Sequence, residues 1–323
     1  MKFNISITLY NIIMCNYQKK YIKYKAKYIE LHNIEINNMI GGSIKNKMKI
    51  NEIKIKQVKY SDNKLYVLNN IDDDKLDEYS EFPIGSITKL FTIISILLLE
   101  QDNKLKITNK IGKYIKNKEI SNLKILDIIN HKSGLINIWK DHIYGSSEKK
   151  FNSANEVYED NIHSGIIDNN IKNTMAYSNL GYILLGVIIE NISSLTYSEF
   201  VKKNILQPLN MNNSGINDCN IILYNQKQQK LTKYEKWERT NASSAGELKS
   251  CVNDLINFSN FHKLLNNNSL KNLKKIWCFT EFNDEYNFFH TGGISGGEAN
   301  IFITCDKNWK IKNIKISLNT ICN

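Results

Sequence analysis

The chain has 323 residues, of which 42% are hydrophobic, and a formal net charge of +11. This length and hydrophobic content suit one large domain or two small ones with a substantial core, and they exclude disordered and collagen-like chains. Residues 1–50 contain nine lysines and two glutamates, a net charge of +7, so the rest of the chain is nearly neutral. A nucleic-acid-binding groove in the body is therefore not expected.

The six cysteines are widely spread, with no C-x-x-C motif and no cysteine and histidine cluster of metal-ligand spacing. We expect free thiols in a reducing compartment. The longest apolar stretch, residues 90–99, is about half the length of a bilayer span, so it predicts a buried helix. Residues 3–14 are partly apolar, but polar residues interrupt them and no small-residue cleavage site follows, which argues against secretion. Met14 is an alternative start.

Residues 16–39 predict a basic amphipathic helix. Its stripe has alternating spacings of four and three residues and consists of Tyr17, Tyr21, Tyr24, Tyr28 and Leu31. Lysines occupy the other faces, and Gly41–Gly42 ends the helix. The N-terminal segment, residues 1–48 with its linker, either packs its stripe on the domain or docks on an anionic surface or partner. It resembles the lysine- and tyrosine-rich leader of many giant-virus proteins.

The remaining residues, 49–323, predict one domain that mixes strands and helices. Alternating apolar residues around a turn at residues 61–63 predict an opening β-hairpin. Helices are predicted over residues 86–99, 123–130, 180–191, 197–205 and 253–265, and two late strands over 299–305 and 311–318. Strands at both ends of a helical middle, roughly residues 86–238, predict an α/β (α+β) fold in which one sheet carries a helical insertion.

Ser86 and Lys89 form one of five S-x-x-K patterns in the chain. Three residues apart on a helix, their side chains share one face, so the amine can influence a serine nucleophile. The pattern alone is weak, because a lysine-rich chain produces several by chance. Ser86 differs from the others because it opens a long apolar helix, whose positive end and buried surroundings can activate both groups.

Tyr177, Ser178 and Asn179 form the only Y-x-N pattern in the chain, at the start of another apolar helix. A phenol has a reference pKa of about 10, so it serves as a base only where nearby cations lower that pKa. Lys89 is a candidate for that cation. A buried tyrosine packed at a helix start is the plain structural alternative.

His290 and Thr291, followed by two glycines, precede a predicted strand. Histidine and threonine can bind a substrate carboxylate or oxygen, and glycines let backbone N–H groups approach a developing oxyanion. Taken alone, a glycine turn before a strand is the simpler interpretation.

Together and in this order, the three motifs resemble those of the serine beta-lactamase and penicillin-binding protein superfamily, in the branch related to class C beta-lactamases. Residues 126–135, 177–209 and 244–255 are also similar to segments of that branch. The resemblance covers about residues 50–320. It implies a beta-lactamase/DD-peptidase-like fold, with an antiparallel sheet flanked by helices and an inserted all-helical subdomain.

The resemblance also implies an enzyme, a serine hydrolase that forms an acyl-enzyme on Ser86. Lys89 would support deprotonation of the serine, and Tyr177 would be the general base. Asn179 would hold Lys89 and the substrate amide. The substrate would be a small molecule or a peptide, and no metal or cofactor is implied.

The substrate pocket implied by the resemblance includes His290, Thr291 and Gly293. The backbone N–H groups of Ser86 and Gly293 would form the oxyanion hole. His290 stands where true class C beta-lactamases have a lysine that anchors the carboxylate of the drug. Hydrolysis of an ester or another amide is therefore expected over hydrolysis of a beta-lactam.

Three further departures from the family pattern affect the domain. The stretch between Y-S-N and H-T-G is short, which trims the walls of the pocket. Glu247 replaces a family glycine. The sequence ends at Asn323, almost directly after the last predicted strand, where the family packs a helix on the sheet. We therefore expect the N-terminal helix or a partner to cover that face.

Three functions remain open at this point. An active serine hydrolase is favoured because all three motifs are present. A catalytically silent scaffold or virion structural protein is the alternative, favoured by the trimmed walls and the missing helix. Nucleic-acid binding through the basic leader is the third, and the near-neutral body argues against it. For the location, the cytoplasm or a virion is expected over secretion.

Overall fold

A computed structural model of the protein describes residues 54–137, 151–161, 166–216, 219–221, 224–227, 230–233, 243–282, 284–294 and 297–322. The N-terminal segment predicted over residues 1–48 lies outside the described residues. From Lys54 onward the chain belongs to a single unit.

The strands and helices follow each other in this order. The strands are β1 (Lys54–Ser61), β2 (Lys64–Asn69), β3 (Phe82–Pro83), β4 (Tyr224–Lys227), β5 (Lys230–Lys233), β6 (Lys249–Ser250), β7 (Cys278–Phe282), β8 (Glu285–Ile294), β9 (Gly297–Asp306) and β10 (Ile311–Cys322). The α-helices are α1 (Thr88–Gln101), α2 (Ile125–Ile129), α3 (Ala154–Asn161), α4 (Asn179–Ser193), α5 (Tyr197–Val201), α6 (Ser243–Gly246), α7 (Val252–Phe258) and α8 (Asn267–Trp277). Short 3₁₀ turns cover Gly85–Ile87, Ile111–Lys113 and Phe261–Leu264, and a π-helical turn covers Lys202–Leu206.

Six antiparallel strands form the main sheet, in the order β2-β1-β10-β9-β8-β7. The first strands of the domain meet the last one, because β1 pairs with β10 with Val58 opposite Leu318. Both side chains are fully buried, and Ile301 and Ile303 of β9 are buried as well. Burial of branched apolar side chains on one face sets the register of the sheet, since a slip by one residue would turn them to the other face.

Helix α1 is the central helix of the domain. It packs against α4, α6 and α8, and 11 of its 14 residues are buried. The sequence explains this placement, because the run of isoleucine and leucine is apolar on every face and so suits a helix that is surrounded by others. Its first turn follows the 3₁₀ turn Gly85–Ile87, which lies against β8.

Helix α4 has clear signals at both ends. At its start the Ser178 hydroxyl accepts a hydrogen bond from the Gly181 N–H at 3.3 Å, and at its end Ser194 has a left-handed φ of 58°. A capping box formed by Thr196 and Glu199 then begins α5. These caps fix α4, and with it the segment immediately before α4.

The fold class predicted from the sequence is confirmed: an antiparallel sheet is combined with helices inserted between its strands. The opening hairpin, the long first helix, the helix after Y-S-N and the two late strands are all present. Helices α6, α7 and α8 lie between residue 238 and β7. The predicted helix over residues 253–265 is divided into α7 and the 3₁₀ turn Phe261–Leu264.

The prediction for the H-T-G motif was wrong in one respect. The motif lies inside β8 and not in a turn before a strand. Its glycines lowered the strand propensity of the segment in the sequence, but here they permit close contact between β8 and the turn Gly85–Ile87.

Within the described residues, no single helix has the length and apolar composition of a bilayer span, although α4 joined to residues 197–206 across a 76° bend meets both criteria. Among the cysteines whose side chains are described, Cys251 and Cys305 are buried and Cys219 is partly buried.

Candidate active site

Ser86 occupies the middle of the 3₁₀ turn Gly85–Ile87, immediately before α1. Between residues 80 and 97 it is the one residue that is not buried. Gly85 has a φ of +50°, a conformation that glycine adopts without strain. The turn therefore presents a single hydroxyl at the surface of an otherwise buried segment, at the positive end of a long helix.

Lys89 lies in the first turn of α1 and is completely buried. Its Nζ is 3.1 Å from Ser86 Oγ, 2.8 Å from Asn179 Oδ1 and 2.5 Å from the carbonyl O of Ala245. Burial lowers the pKa of Lys89 well below its ordinary value of 10.5. The Asn179 and Ala245 oxygens only accept, so they take two Nζ protons. The remaining position of Nζ faces Ser86 Oγ, to which an ammonium group would donate and from which a neutral amine could accept.

Tyr177 approaches Ser86 from the other side. Its Oη is 2.7 Å from Ser86 Oγ, and its ring centroid is 5.0 Å from Lys89 Nζ. The side chain is 39% exposed, so the hydroxyl can reach a bound molecule. Because the Ser178 cap fixes the start of α4, Tyr177 and Asn179 are held on either side of the capping residue. Asn179 N–H also donates to Asn137 Oδ1 at 3.1 Å.

The structure thus brings together four of the residues predicted from the sequence: Ser86, Lys89, Tyr177 and Asn179. Sequence separations of 90 and 91 residues are closed by direct hydrogen bonds. The arrangement can remove a proton from a serine hydroxyl and return it, which is the chemistry of a serine nucleophile.

Residues 244–249 form a segment that runs alongside α1 and the turn Gly85–Ile87, here named the nucleophile turn after the candidate nucleophile Ser86. The Thr92 hydroxyl donates to the Ser244 carbonyl at 2.6 Å, and Leu248 N–H donates to the Thr88 hydroxyl at 3.1 Å. Leu248 O accepts from Ile84 N–H at 2.9 Å. These bonds place the Ala245 carbonyl over Lys89. Sequence reasoning missed this contact, because a backbone carbonyl has no residue-specific signal.

The 244–249 segment also carries two buried charged residues. Lys249 pairs with Glu81 at 2.5 Å, and both side chains are less than 10% exposed. Glu247, which replaces a family glycine, is 8% exposed. The ion pair joins the end of this segment to the residues just before β3, so it supports the same alignment.

Strand β8 packs directly on the nucleophile turn. A Cβ atom added at Gly292 would collide with the Ile84 carbonyl and would lie 3.0 Å from Ser86 N, whereas one added at Gly293 would meet nothing within 4 Å. One added at Gly85 would lie 2.7 Å from the Gly293 carbonyl. The absence of side chains at Gly85 and Gly292 therefore lets the two backbones touch, and Gly293 faces open space.

His290 and Thr291 lie next to these glycines on β8. His290 stands opposite buried Ile301, and Thr291 stands opposite Asn300, so the two residues alternate between the faces of the sheet. His290 Nδ1 is 2.7 Å from the Thr291 carbonyl, an acceptor, so Nδ1 carries the proton of that hydrogen bond. Thr291 therefore lies on the opposite face of the sheet from His290.

His131 is a neighbour of the site that the sequence motifs did not single out as functional. It lies within residues 126–135, one of the segments that resemble the family outside the three motifs. Its ring stacks on Tyr177 with 4.5 Å between centroids. Burial, together with the charges of Lys89 and His290, lowers the pKa of His131 to about 3.

A metal centre is not found in the described part of the chain. Those residues contain no group of three or more histidine, cysteine, aspartate or glutamate side chains that could hold a metal ion.

The chain is similar in sequence to curated proteins. The chain is 29% identical over 138 residues to Penicillin-binding protein 4* of Bacillus subtilis (strain 168), covering 42% of this chain and 31% of that protein. It is 23% identical over 317 residues to Protein flp of Staphylococcus aureus (strain NCTC 8325 / PS 47), covering 87% of this chain and 60% of that protein. The chain therefore spans less than two thirds of the length of either relative.

Solved structures share the fold. The penicillin binding protein from Bacillus halodurans superposes with a TM-score of 0.65 at 17% identity, covering 82% of this chain and 91% of that chain. The D-stereospecific amidohydrolase from Streptomyces sp. superposes with a TM-score of 0.65 at 16% identity, covering 83% of this chain and 89% of that chain.

The family itself follows from the sequence match. Residues 60–304, about three quarters of the chain, match the Beta-lactamase family. The resemblance inferred from the three motifs is thereby confirmed. This chain belongs to the Beta-lactamase family, within the serine beta-lactamase and penicillin-binding protein superfamily.

Proposed function

We propose that this chain is a serine hydrolase that cleaves an amide or ester through an acyl-enzyme on Ser86. The observation that carries the proposal is the pair of contacts to Ser86 Oγ, 2.7 Å from Tyr177 Oη and 3.1 Å from Lys89 Nζ. A serine hydroxyl is a weak nucleophile until a neighbouring base takes its proton. Both neighbours are groups that can do so.

Tyr177 and Lys89 act as one coupled pair that accepts the proton of Ser86. As Oγ forms a bond to the substrate carbonyl carbon, its proton passes to the pair. Tyr177, which is the more exposed member, hands a proton to the leaving oxygen or nitrogen as its bond to that carbon breaks. Water then attacks the acyl carbon and gives its proton to the pair, and Ser86 regains one as the acyl group leaves.

The burial of Lys89 modifies the role expected from the sequence. A cationic lysine would lower the pKa of the Tyr177 phenol, whereas burial favours the neutral amine. A neutral Lys89 is itself able to accept the Ser86 proton, so the pair works with either partner as the initial base. Asn179 holds the amine in place through its 2.8 Å contact.

The oxyanion hole is assigned to the backbone N–H groups of Ser86 and Gly293. Close contact between β8 and the nucleophile turn supports this assignment. A side chain at residue 292 would hold the two backbones apart, and Gly292 has none. The open space beside Gly293 leaves room for a substrate carbonyl. Two such donors stabilise a developing oxyanion.

For the substrate, we propose an ester or a small amide and not a beta-lactam. We assign His290 to the position of the family lysine that holds a carboxylate, and a histidine is mostly neutral at pH 7 where a lysine is charged. Thr291 lies on the opposite face of β8, so of the two we give His290 the main role in the pocket. An anionic substrate group is therefore held weakly. A structural neighbour is named as an amidohydrolase, which supports an amide among the candidates.

The domain organisation is part of the same proposal. We assign the catalytic domain to residues 49–323 and treat residues 1–48 as a separate basic segment that contributes no residue to the chemistry. All of the residues given a catalytic or binding role lie between Ser86 and Gly293.

Covalent labelling tests the proposal. The purified full chain is incubated with a fluorescent fluorophosphonate and resolved on a denaturing gel. We expect labelling of the wild type and of Ser121→Ala, a matched control because Ser121 belongs to another S-x-x-K pattern, and no labelling of Ser86→Ala. An unlabelled wild type that also fails to hydrolyse p-nitrophenyl esters would instead support a catalytically silent scaffold.

A further inference from the structure

His131 contacts the backbone on both sides of Tyr177. Its carbonyl accepts a hydrogen bond from Ala176 N–H at 2.8 Å, and its ring Nδ1 accepts one from Ser178 N–H at 3.1 Å. One residue therefore fixes the peptide group that follows Tyr177 and the one between Met175 and Ala176, just before it. His131 itself has a left-handed φ of +55°, a conformation that an ordinary residue adopts only where its surroundings hold it.

The ring of His131 also supports the ring of Tyr177. The two centroids are 4.5 Å apart and the planes are inclined by 30°. Tyr182 lies beside the same imidazole, with centroids 5.2 Å apart, and its hydroxyl donates to the Ile129 carbonyl at 3.0 Å. The Tyr177 side chain is 39% exposed, and contact with solvent does not restrict its rotamers. The stack on His131 does restrict the rotamers open to the phenol.

The hydrogen bond to Ser178 also determines the protonation of the imidazole. A backbone N–H can only donate, so Nδ1 must present a lone pair and the ring proton is on Nε2. The titratable groups around the ring are Tyr177, Tyr182, Lys89 and His290. Burial is the largest of the effects that hold the pKa of His131 at about 3, so the ring is neutral at pH 7.

We propose that His131 is a positioning residue that holds the Tyr177 hydroxyl against Ser86 Oγ, and this inference rests on the role proposed above for Tyr177. The backbone contacts fix the position of the Tyr177 main chain, and the ring contact fixes the position of its hydroxyl. His131 does not touch the reacting atoms. Its loss lets the phenol leave the 2.7 Å contact while Ser86 and Lys89 stay in place.

Two variants of His131 separate the ring from the acceptor. His131→Asn keeps a hydrogen-bond acceptor and suits a left-handed φ, but it removes the ring. His131→Phe keeps a ring and removes the acceptor. His262→Asn is the matched control, because His262 is a partly buried histidine that stacks on Trp309 elsewhere in the domain.

The readout is kcat for p-nitrophenyl acetate per active site, with active sites counted by fluorophosphonate titration. This ratio excludes misfolded molecules, so a loss of stability alone does not change it. We expect both His131 variants to lose about 10- to 100-fold in kcat with KM little changed, since small displacements of a catalytic group have effects of this size. His262→Asn should match the wild type.

Wild-type kcat per titrated site in either folded His131 variant would overturn the inference. If neither variant folds, imidazole nitrogen NMR of the wild type decides: we expect a neutral ring with its proton on Nε2 between about pH 5 and pH 8. A charged ring, or a proton on Nδ1, overturns the inference. A wild type that neither labels nor hydrolyses the ester would instead refute the proposed function, whatever the NMR result.

Discussion

Lys89 is a buried side chain whose contacts serve chemistry at a cost to stability. Its Nζ is fully buried among three oxygen atoms, and no carboxylate is among its hydrogen-bond partners in the described part of the chain. Desolvation of an ammonium group destabilises the folded state. A neutral amine escapes this penalty and is also the form that can accept a proton from Ser86.

The pH dependence of stability should therefore change in Lys89→Met. Unfolded Lys89 holds its proton up to its ordinary pKa of 10.5, whereas the folded chain releases it at lower pH. Between these two pKa values the unfolded state binds more protons, so raising the pH stabilises the folded state, by at most about 1.4 kcal/mol per pH unit. Urea denaturation at about pH 7 and pH 9.5 should show the wild type gaining free energy of unfolding relative to Lys89→Met. A difference that does not change with pH would contradict the neutral amine.

The choice of substrate should change in His290→Lys. A permanent positive charge on β8 would hold the carboxylate of a beta-lactam by roughly 1 to 3 kcal/mol, which an ester without a carboxylate cannot use. We expect the wild type to turn over short-chain p-nitrophenyl esters faster than nitrocefin. In His290→Lys the ratio of the two kcat/KM values should move about 10-fold or more toward nitrocefin. Efficient nitrocefin hydrolysis by the wild type at both pH 6 and pH 8 would show this argument to be wrong.

The residues that the sequence could reveal are those that act through their own functional groups. Ser86, Lys89, Tyr177 and Asn179 carry chemistry that a spacing pattern can express, and the structure places them in contact. Ala245 could not be predicted, because it contributes a carbonyl that any residue has. The stacking of His131 on Tyr177 depends on a contact across 46 residues of sequence, which no local pattern encodes.

At the scale of elements, the site depends on how closely β8 packs on the turn before α1. Gly292 is the position at which a side chain would force the two apart, because an added Cβ would overlap the Ile84 carbonyl. Backbone atoms cannot move away as the end of a flexible side chain can. The contact between β8 and the nucleophile turn therefore fixes the positions of the two proposed oxyanion donors, the N–H groups of Ser86 and Gly293, relative to each other.

Gly292→Ala should destabilise the domain and disturb the site together. We expect a loss of roughly 2 kcal/mol or more in the free energy of unfolding, since overpacking a rigid contact has costs of this order. Gly293→Ala is the matched control for stability, because its Cβ meets nothing within 4 Å. Denaturation curves of both variants make the comparison. Equal stability of the two would show that β8 does not contact the turn as described.

Prediction of elements succeeded where periodicity alone decides the structure. The apolar runs of α1 and α4 and the alternation of β9 and β10 carry their own signals. Strands β7 and β8 were not predicted, since the glycines of H-T-G indicate a turn until the partner backbone is known. The π-helical turn Lys202–Leu206 likewise continues the helical pattern of α5 and cannot be told from it in sequence.

At the scale of the whole molecule, the first and last strands of the domain pair with each other inside one sheet. β1 pairs with both β2 and β10, so residues near 60 and near 316 share a hydrogen-bonded ladder. Ser86 and His290 are far apart in sequence, and the nucleophile turn contacts β8, which belongs to this same sheet. The candidate site therefore depends on residues from both halves of the domain.

Deletion of residues 1–42 should leave catalysis unchanged. No residue with a proposed catalytic or binding role lies in that segment, and Gly41–Gly42 marks a predicted break before the domain. We expect the truncated chain and the full chain to have the same kcat/KM for p-nitrophenyl acetate. An insoluble truncated protein would show instead that the segment is a structural cover for the domain.

Intact-mass spectrometry after incubation with a fluorophosphonate tests the central claim most directly. We predict that the wild type gains the mass of one phosphonyl group and that peptide mapping places the group on Ser86. Ser86→Ala should remain unmodified and keep its fold, because the Ser86 hydroxyl bonds to Tyr177 and Lys89 and does not cap α1. Absence of an adduct on a folded wild type, or equal modification of Ser86→Ala, would contradict the account.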